Sequence, residues 1–279
     1  MSDPAGPDDA ESALAALPDY QTIGLDSPHA HVLRVTLDRP SVGNALNTAM
    51  GREALDLWSR LTADPGPWRC LILTGAGDKV FCAGGDLKER NDMTRAAWQA
   101  QHELFERQYW ALVDLPLPVL AAVNGHAYGG GLEFALCCDF IYLSDRARLA
   151  LPEVTLGIMP GGGGTQNLPR AIGERRAKEM LLSGRPIDAA TALSWGLVNA
   201  VYPPATLMDA AIDTAAAIAG NAPLSTRQIK KSVRYGGQME LRTAYRFEVE
   251  AYNHLVDTDD RREGVRAFNE KRPPRFKGR

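Results

Sequence analysis

Residues 118–139 read PVLAAVNGHAYGGGLEFALCCD, and this stretch passes from one kind of secondary structure to another. VLAAV at 119–123 is a short apolar run behind the breaker LPLP at 115–118, the pattern of a buried strand. NGHAYGGG then reads as a loop, and LEFALCC as a helix. The same alternation extends upstream. HVLRVTL at 31–37 alternates apolar and polar residues, as a strand does. Met50, Ala54, Leu57, Trp58 and Leu61 recur at helical spacing within 47–62. CLILT at 70–74 is another buried strand, and 95–113 a long helix that ends at LPLP. Short buried strands alternating with helices predict an α/β architecture.

Beyond residue 165 helices dominate, at about 174–183, 188–194, 205–220, 223–234 and 239–270. We therefore expect a β-rich core over 19–200 and a helical C-terminal region over 201–279, with no low-complexity linker dividing the core. Residues 1–18 carry Asp3, Asp8, Asp9 and Glu11, and no Lys or Arg comes before Arg34, so they read as a flexible acidic leader. A secretory signal needs a basic start and an apolar centre, and an organellar presequence needs arginine with few acids. Neither pattern fits, and no apolar run has the length of a membrane span. A cytoplasmic protein is the expectation.

The chain has 279 residues, 45% hydrophobic and 23% charged, the composition of a globular protein able to bury a large core. Its formal net charge of −3 provides no global attraction to nucleic acid or anionic membrane. Cys70, Cys82, Cys137 and Cys138 show neither zinc-ligand spacing nor a C-x-x-C pair, and read as reduced thiols.

Three glycine-rich turns stand beside carboxylates. They are Ala83-Gly84-Gly85-Asp86, Gly129-Gly130-Gly131-Leu132-Glu133, and the passage from Pro152-Glu153 to Gly161-Gly162-Gly163-Gly164-Thr165. Glycine lets a ligand approach the backbone, and a helix starting near Gly130 would aim free N–H groups at it. Taken singly, each turn is explained first by chain geometry. No Gly-Lys-Ser/Thr follows, so none is a P-loop, and no dinucleotide fingerprint is present. Glu133 lies among Phe134, Ala135 and Leu136, where a carboxylate needs a partner or a task; a helix-capping role is the plain alternative.

Taken together, FCAGGDLKER (81–90), residues 118–139 and LPEVTLGIMPGGGGTQNLPRAIG (151–173) resemble the signature stretches of the crotonase, or enoyl-CoA hydratase/isomerase, family. DRPSVGNALN at 38–47 and WGLVNAVYP at 195–203 also match, so the resemblance runs from about residue 20 to the end. It implies a crotonase-like spiral of ββα repeats with a helical C-terminal region, and assembly as a homotrimer or dimer of trimers. It implies an acyl-CoA thioester substrate, with coenzyme A entering as part of that substrate and no metal or other cofactor.

Residue by residue, the resemblance makes the N–H groups of Gly85 and Gly130 an oxyanion hole for the thioester oxygen. Glu133 and Glu153 become the two carboxylates that hold and activate water. Ala83, Gly85, Asp86, Leu87 and Lys88 would line the coenzyme A path, and Gly161 would border the acyl group. Phe268 and Lys271 would meet the adenosine end, often across a subunit boundary. Water attacking C3 of an enoyl thioester drives charge onto the thioester oxygen, which is why two N–H donors and two proton-handling carboxylates are needed. Family members lacking one glutamate carry out isomerisation or hydrolysis; this sequence has both.

GGDLKERNDM (84–93) and FNEKRPPRFKGR (268–279) are similar to the 3-methylglutaconyl-CoA hydratase branch, one member of which binds AU-rich RNA. The rival readings are an enoyl-CoA isomerase, an RNA-binding protein using the basic tail, and an assembly protein. Nucleic acid is not expected as a partner, because the overall charge is slightly acidic. Tyr128 and Asn167 depart from common family residues and are expected to alter the pocket or its rim. Residues 91–99 are expected to help shape the acyl pocket.

Overall fold

A computed structural model describes residues 7–279. Its first elements are helix α1 (Pro7–Ala15), strands β1 (Ile23–His29) and β2 (Val32–Leu37), and helix α2 (Thr48–Ala63). Then come β3 (Cys70–Gly75), β4 (Val80–Cys82), the short α3 (Leu87–Arg90) and the long α4 (Arg95–Val113). The stretch around residue 119 gives β5 (Val119–Val123), β6 (His126–Tyr128) and α5 (Gly130–Cys137). The next turn holds β7 (Phe140–Ser144), β8 (Arg148–Ala150), a 3-10 turn at Glu153–Leu156, α6 (Gly164–Ile172) and α7 (Glu174–Ser183). The remainder is β9 (Ile187–Asp188), α8 (Ala189–Trp195), β10 (Ala200–Tyr202), α9 (Pro204–Ala219), α10 (Pro223–Gly236), α11 (Leu241–Val256) and α12 (Asp259–Asn269).

The strands form two sheets. The larger has the order β1-β2-β3-β5-β7-β10, and the smaller β4-β6-β8-β9. From β2 onward the large sheet is parallel, as are β4-β6-β8 in the small one. Parallel neighbours cannot be joined by a hairpin, so the chain must leave the sheet and return. Here each excursion visits the small sheet and then a helix: β3-β4-α3/α4, β5-β6-α5, β7-β8-α6. This is the expected ββα spiral. Each turn adds one strand to each sheet and stacks in register on the last, Leu71 beside Val119 and Leu120 beside Phe140.

Both faces of the large sheet are covered. On one, α2 and α4 bury Met50, Leu57, Trp58, Phe105 and Leu112 against Leu71, Leu73 and Ala121. On the other, Ala211, Ala215 and Ala219 of α9 cover Val32, Cys70, Ile72 and Leu120. Strands buried on two sides read as continuous apolar runs, which is why CLILT and VLAAV stand out in the sequence. Asn47 caps α2, its side chain accepting from Met50 N at 2.9 Å, and Thr94 caps α4 through Ala97 N at 3.2 Å. Such caps contribute about 1 kcal/mol each.

Three expectations change. Residues 1–6 of the expected flexible leader lie outside the described residues, but Pro7–Ala15 is helical, with Ala10 buried and Ala13, Leu14 and Leu17 packed on the core. Those four recur at i, i+3, i+4 and i+7, a helical stripe hidden among acidic residues. The border at residue 200 also falls inside the common core. β10 pairs with β7 in the large sheet, and α9 covers that sheet, so the helical region as a separate block begins at α10. The interval 239–270 is two helices, broken at Asp257 and capped anew by Thr258.

Candidate active site

The three parallel strands of the small sheet end side by side, and the three site turns leave from those ends. Gly84 and Gly85 come after β4, Gly129 and Gly130 after β6, Pro152 and Glu153 after β8. The spiral thus brings equivalent positions of three successive turns to one place. They enclose a cavity of about 820 Å³ whose walls also include α4 and the segment 156–162.

Two backbone N–H groups face it. Leu46 bridges Gly85 in parallel fashion, donating to Gly84 O at 2.8 Å and accepting from Asp86 N at 2.9 Å. In such a bridge Gly85 itself points its N–H to the opposite side, and that side is the cavity. Gly130 is the first residue of α5, so its N–H has no partner within the helix. The two turns touch: a Cβ on Gly84 would lie 3.3 Å from Gly130 N and 2.8 Å from Tyr128 O. Gly129 reaches this packing with φ +52, and a Cβ there would sit 3.1 Å from Glu153 Oε1. Gly131 has no room for a side chain either, its Cβ position lying 2.2 Å from Cys82 O. The Tyr109 hydroxyl donates to Gly130 O at 2.8 Å and braces the start of α5.

Glu133 and Glu153 face the same cavity, 4% and 8% exposed. Glu133 Oε1 accepts from Gly162 N at 2.7 Å and Gly164 N at 2.8 Å, which leaves Oε2 free. Burial raises the Glu133 pKa, while the Gly164 and Gly162 N–H groups pull it back. Glu153 Oε2 is buried without a hydrogen-bond partner. Burial pushes the Glu153 pKa up to about 7; its own N–H opposes the shift and the Glu133 charge adds to it. A carboxyl group that titrates near neutrality can both donate and accept a proton there.

Ala83, Gly85, Leu87, Gly130, Glu133, Glu153 and Gly161 therefore share one cavity. Asp86 and Lys88 do not line it. Asp86 caps α3 through Lys88 N and Glu89 N and pairs with Arg39 at 2.9 Å. Phe268 and Lys271 do not line the cavity of this chain, Phe268 being 83% exposed on α12. Tyr128 and Asn167 do not line it either: the Tyr128 ring stacks on His126 and Asn167 lies against Gly163. Of 91–99, Met93, Arg95, Trp98 and Gln99 form part of the wall.

Leu46 and Arg90, inside the matching stretches 38–47 and 81–90 but given no role there, also line the cavity, as do His102 and Tyr109, which no motif contains. Tyr109 and Phe105 sit at helical spacing on α4 and look like ordinary core positions. The basic tail folds back on α12. Asp260 accepts from Lys277 N and Gly278 N, and Glu263 pairs with Arg272 and accepts from Arg275 N. The four cysteines are free, with Cys70, Cys82 and Cys137 buried.

The fold and the paired turns define a class that the comparisons name. The family model "Enoyl-CoA hydratase/isomerase" matches residues 28–279, and the chain belongs to that family. Among relatives, the (E)-benzylidenesuccinyl-CoA hydratase of Thauera aromatica is 40% identical, the match covering 89% of this chain and 96% of that protein. The 2,3-dehydroadipyl-CoA hydratase of Escherichia coli (strain K12) is 39% identical over 91% and 98%. The crystal structure of an enoyl-CoA hydratase from Bacillus anthracis superposes with a TM-score of 0.91 at 42% identity, covering 93% of this chain and all of that one. Among the described residues, no helix is long and apolar enough to cross a membrane.

Proposed function

We propose that the chain is an enoyl-CoA hydratase, adding water across the double bond of a 2-enoyl-CoA thioester. The observation that carries this reading is the pair of buried glutamates, Glu133 and Glu153, set beside two unpartnered N–H groups in one cavity. The Gly85 and Gly130 N–H groups would bind the thioester oxygen and hold the charge that develops on it; such a donor is worth ~2.7–4 kcal/mol. Glu133, whose charge is supported by Gly162 and Gly164, would orient water through its free Oε2 and draw a proton as oxygen attacks C3. Glu153, titrating near 7, would deliver a proton to C2. The addition balances with water alone, so no metal or redox cofactor enters the scheme.

The relatives' names share hydratase chemistry and differ in acyl group, which supports the reaction class and leaves the acyl group open. Hydration of crotonyl-CoA, followed by loss of the conjugated thioester absorbance beside 3-methylglutaconyl-CoA, tests the reading. Loss of absorbance with either substrate supports it. No loss with both, together with conversion of a 3-enoyl-CoA, would replace it with isomerisation.

We also propose a homotrimer or a dimer of trimers. Val233, Leu241, Tyr245, Val249 and Tyr252 on α10 and α11 are each more than half exposed, an apolar surface of the kind that a second copy covers. Light scattering at micromolar concentration tests this, and a monomer would end it.

A further inference from the structure

The cavity holds a cation to which the proposed hydration gives no contact with the reacting atoms, although its charge helps to lower the Glu133 pKa. Arg90, the last residue of α3, turns its side chain into the wall, where its guanidinium lies 4.7 Å from the Trp98 ring centre and 5.5 Å from that of Phe105. Its Nε donates to Gln101 Oε1 at 2.8 Å. Gln101 is itself 3% exposed and fixed, its Nε2 donating to Thr48 Oγ1 and Glu89 Oε2, both at 2.8 Å. One edge of the guanidinium is thus tied down and its faces are stacked. The two Nη groups remain, with no hydrogen bond or ion pair among the described residues.

Arg39, at the neighbouring turn, has Asp86 at 2.9 Å; among the described residues Arg90 makes no direct ion pair, and the Glu89 and Glu133 carboxylates act on its charge without a hydrogen bond to its Nη groups. Burial draws the Arg90 pKa downward, the mark of a charge held away from water, yet a guanidinium stays protonated in proteins. A partly desolvated, pre-oriented fork without a hydrogen-bonded anion is suited to bind one in bidentate fashion.

Its place says which anion. Arg90 Nη1 lies 2.9 Å from where a Cβ on Gly85 would stand, beside the N–H proposed to hold the thioester oxygen. The phosphates of coenzyme A are a full pantetheine arm from that oxygen and cannot reach the same point. Met93, Trp98, Ile158 and Met159 continue the wall as apolar surface.

We propose that Arg90 recognises a carboxylate carried by the acyl group, so that the substrate class is a 2-enoyl-CoA bearing a second acid function. The proposal deepens the hydratase reading and rests on it for the direction in which the thioester lies.

The test uses saturated thioesters, which bind but cannot be hydrated. Calorimetric titration of the full chain compares glutaryl-CoA with pentanoyl-CoA, equal in chain length and different in the terminal group. The wild type should bind glutaryl-CoA about tenfold or more tightly. Arg90→Met should bring the ratio to about one, and Arg90→Lys, which keeps the charge without the fork, should fall between. Equal affinities in the wild type overturn the proposal whether or not the variants fold. A loss shared equally by both thioesters in Arg90→Met overturns it as well. Because neither ligand has a double bond, a glutaryl preference in a protein that leaves crotonyl-CoA and glutaconyl-CoA unhydrated would sink the hydratase reading alone.

Discussion

The turn after β6 and the turn after β8 each present one glutamate to the same cavity, and the protein treats the two carboxyl groups differently. Glu133 sits in the first turn of α5 with two backbone N–H groups on Oε1, a neighbourhood that supports a negative charge. Glu153 opens a 3-10 turn with Oε2 buried and unpartnered, a neighbourhood that favours the proton. One spiral repeat thus offsets part of the cost of burying a charge, and the next leaves a proton labile. Burial raises both pKa values, and the two amides on Glu133 together with the Glu133 charge acting on Glu153 set the groups apart.

The hardest test of that contrast removes each charge in turn. Glu133→Gln keeps an oxygen for Gly162 and Gly164, and Glu153→Gln keeps its volume, so both should fold and bind thioester within a few-fold of wild type. Each should lower kcat on the order of 10³-fold if both groups move protons. Steady-state rates beside thioester affinities decide this, and near-normal turnover in either variant would break the pairing.

Next in size is Gly162→Ala. Its Cβ would fall 2.3 Å from a Tyr109 ring carbon and 2.9 Å from Glu133 Oε2. Tyr109 is 5% exposed and cannot retreat, so the 162 segment must shift and carry the amide away from Glu133. Stability should fall by about 1–3 kcal/mol, and turnover by about 10²-fold through misplacement. Denaturant titration and kcat measured together separate the two effects.

The proton on Glu153 gives a pH signature. If the protonated group serves C2, kcat/KM falls as pH rises through about 7, roughly tenfold per unit beyond it, and Glu153→Gln loses that inflection. Stability moves in the same direction. The folded pKa lies above the ordinary 4.5, so the folded state binds the extra proton between the two values. Its contribution is full below about 4.5 and is lost as pH rises through about 7. Glu153→Gln should therefore gain a few degrees of Tm relative to wild type at pH 8, and nothing at pH 4.

Much of the contrast was legible in the sequence, though unevenly. CLILT and VLAAV announced the large sheet because both faces are buried. β4, β6 and β8 are too short to show any period, although their ends position the site. Glu133 and Glu153 stood out beside glycines, since a motif keeps its order along the chain. The groups that make the two glutamates different did not stand out. Gly162 and Gly164 act through N–H groups of the kind that nearly every residue carries. Arg90 looked like one more charge in LKER, and Tyr109 like one more core position of α4. Their roles arise from distance across the fold, to which local pattern is blind. Asp86 and Lys88 show the converse: they stand within a matching motif, yet the chain uses Asp86 to cap α3 and anchor Arg39 rather than to line the cavity.

Tyr109→Phe is the smallest change and the finest probe of how the Glu133 turn is held. It removes one hydroxyl that donates to Gly130 O at 2.8 Å and leaves the ring packed edge-on to Phe134 at 5.0 Å. A hydrogen bond of this kind contributes about 1 kcal/mol. If that energy holds the Gly130 N–H on the thioester oxygen, kcat should fall about fivefold while Tm changes little. Should Tm fall with kcat unchanged, the hydroxyl would be bracing α5 only, and the donor's orientation would be set by the glycine turns themselves.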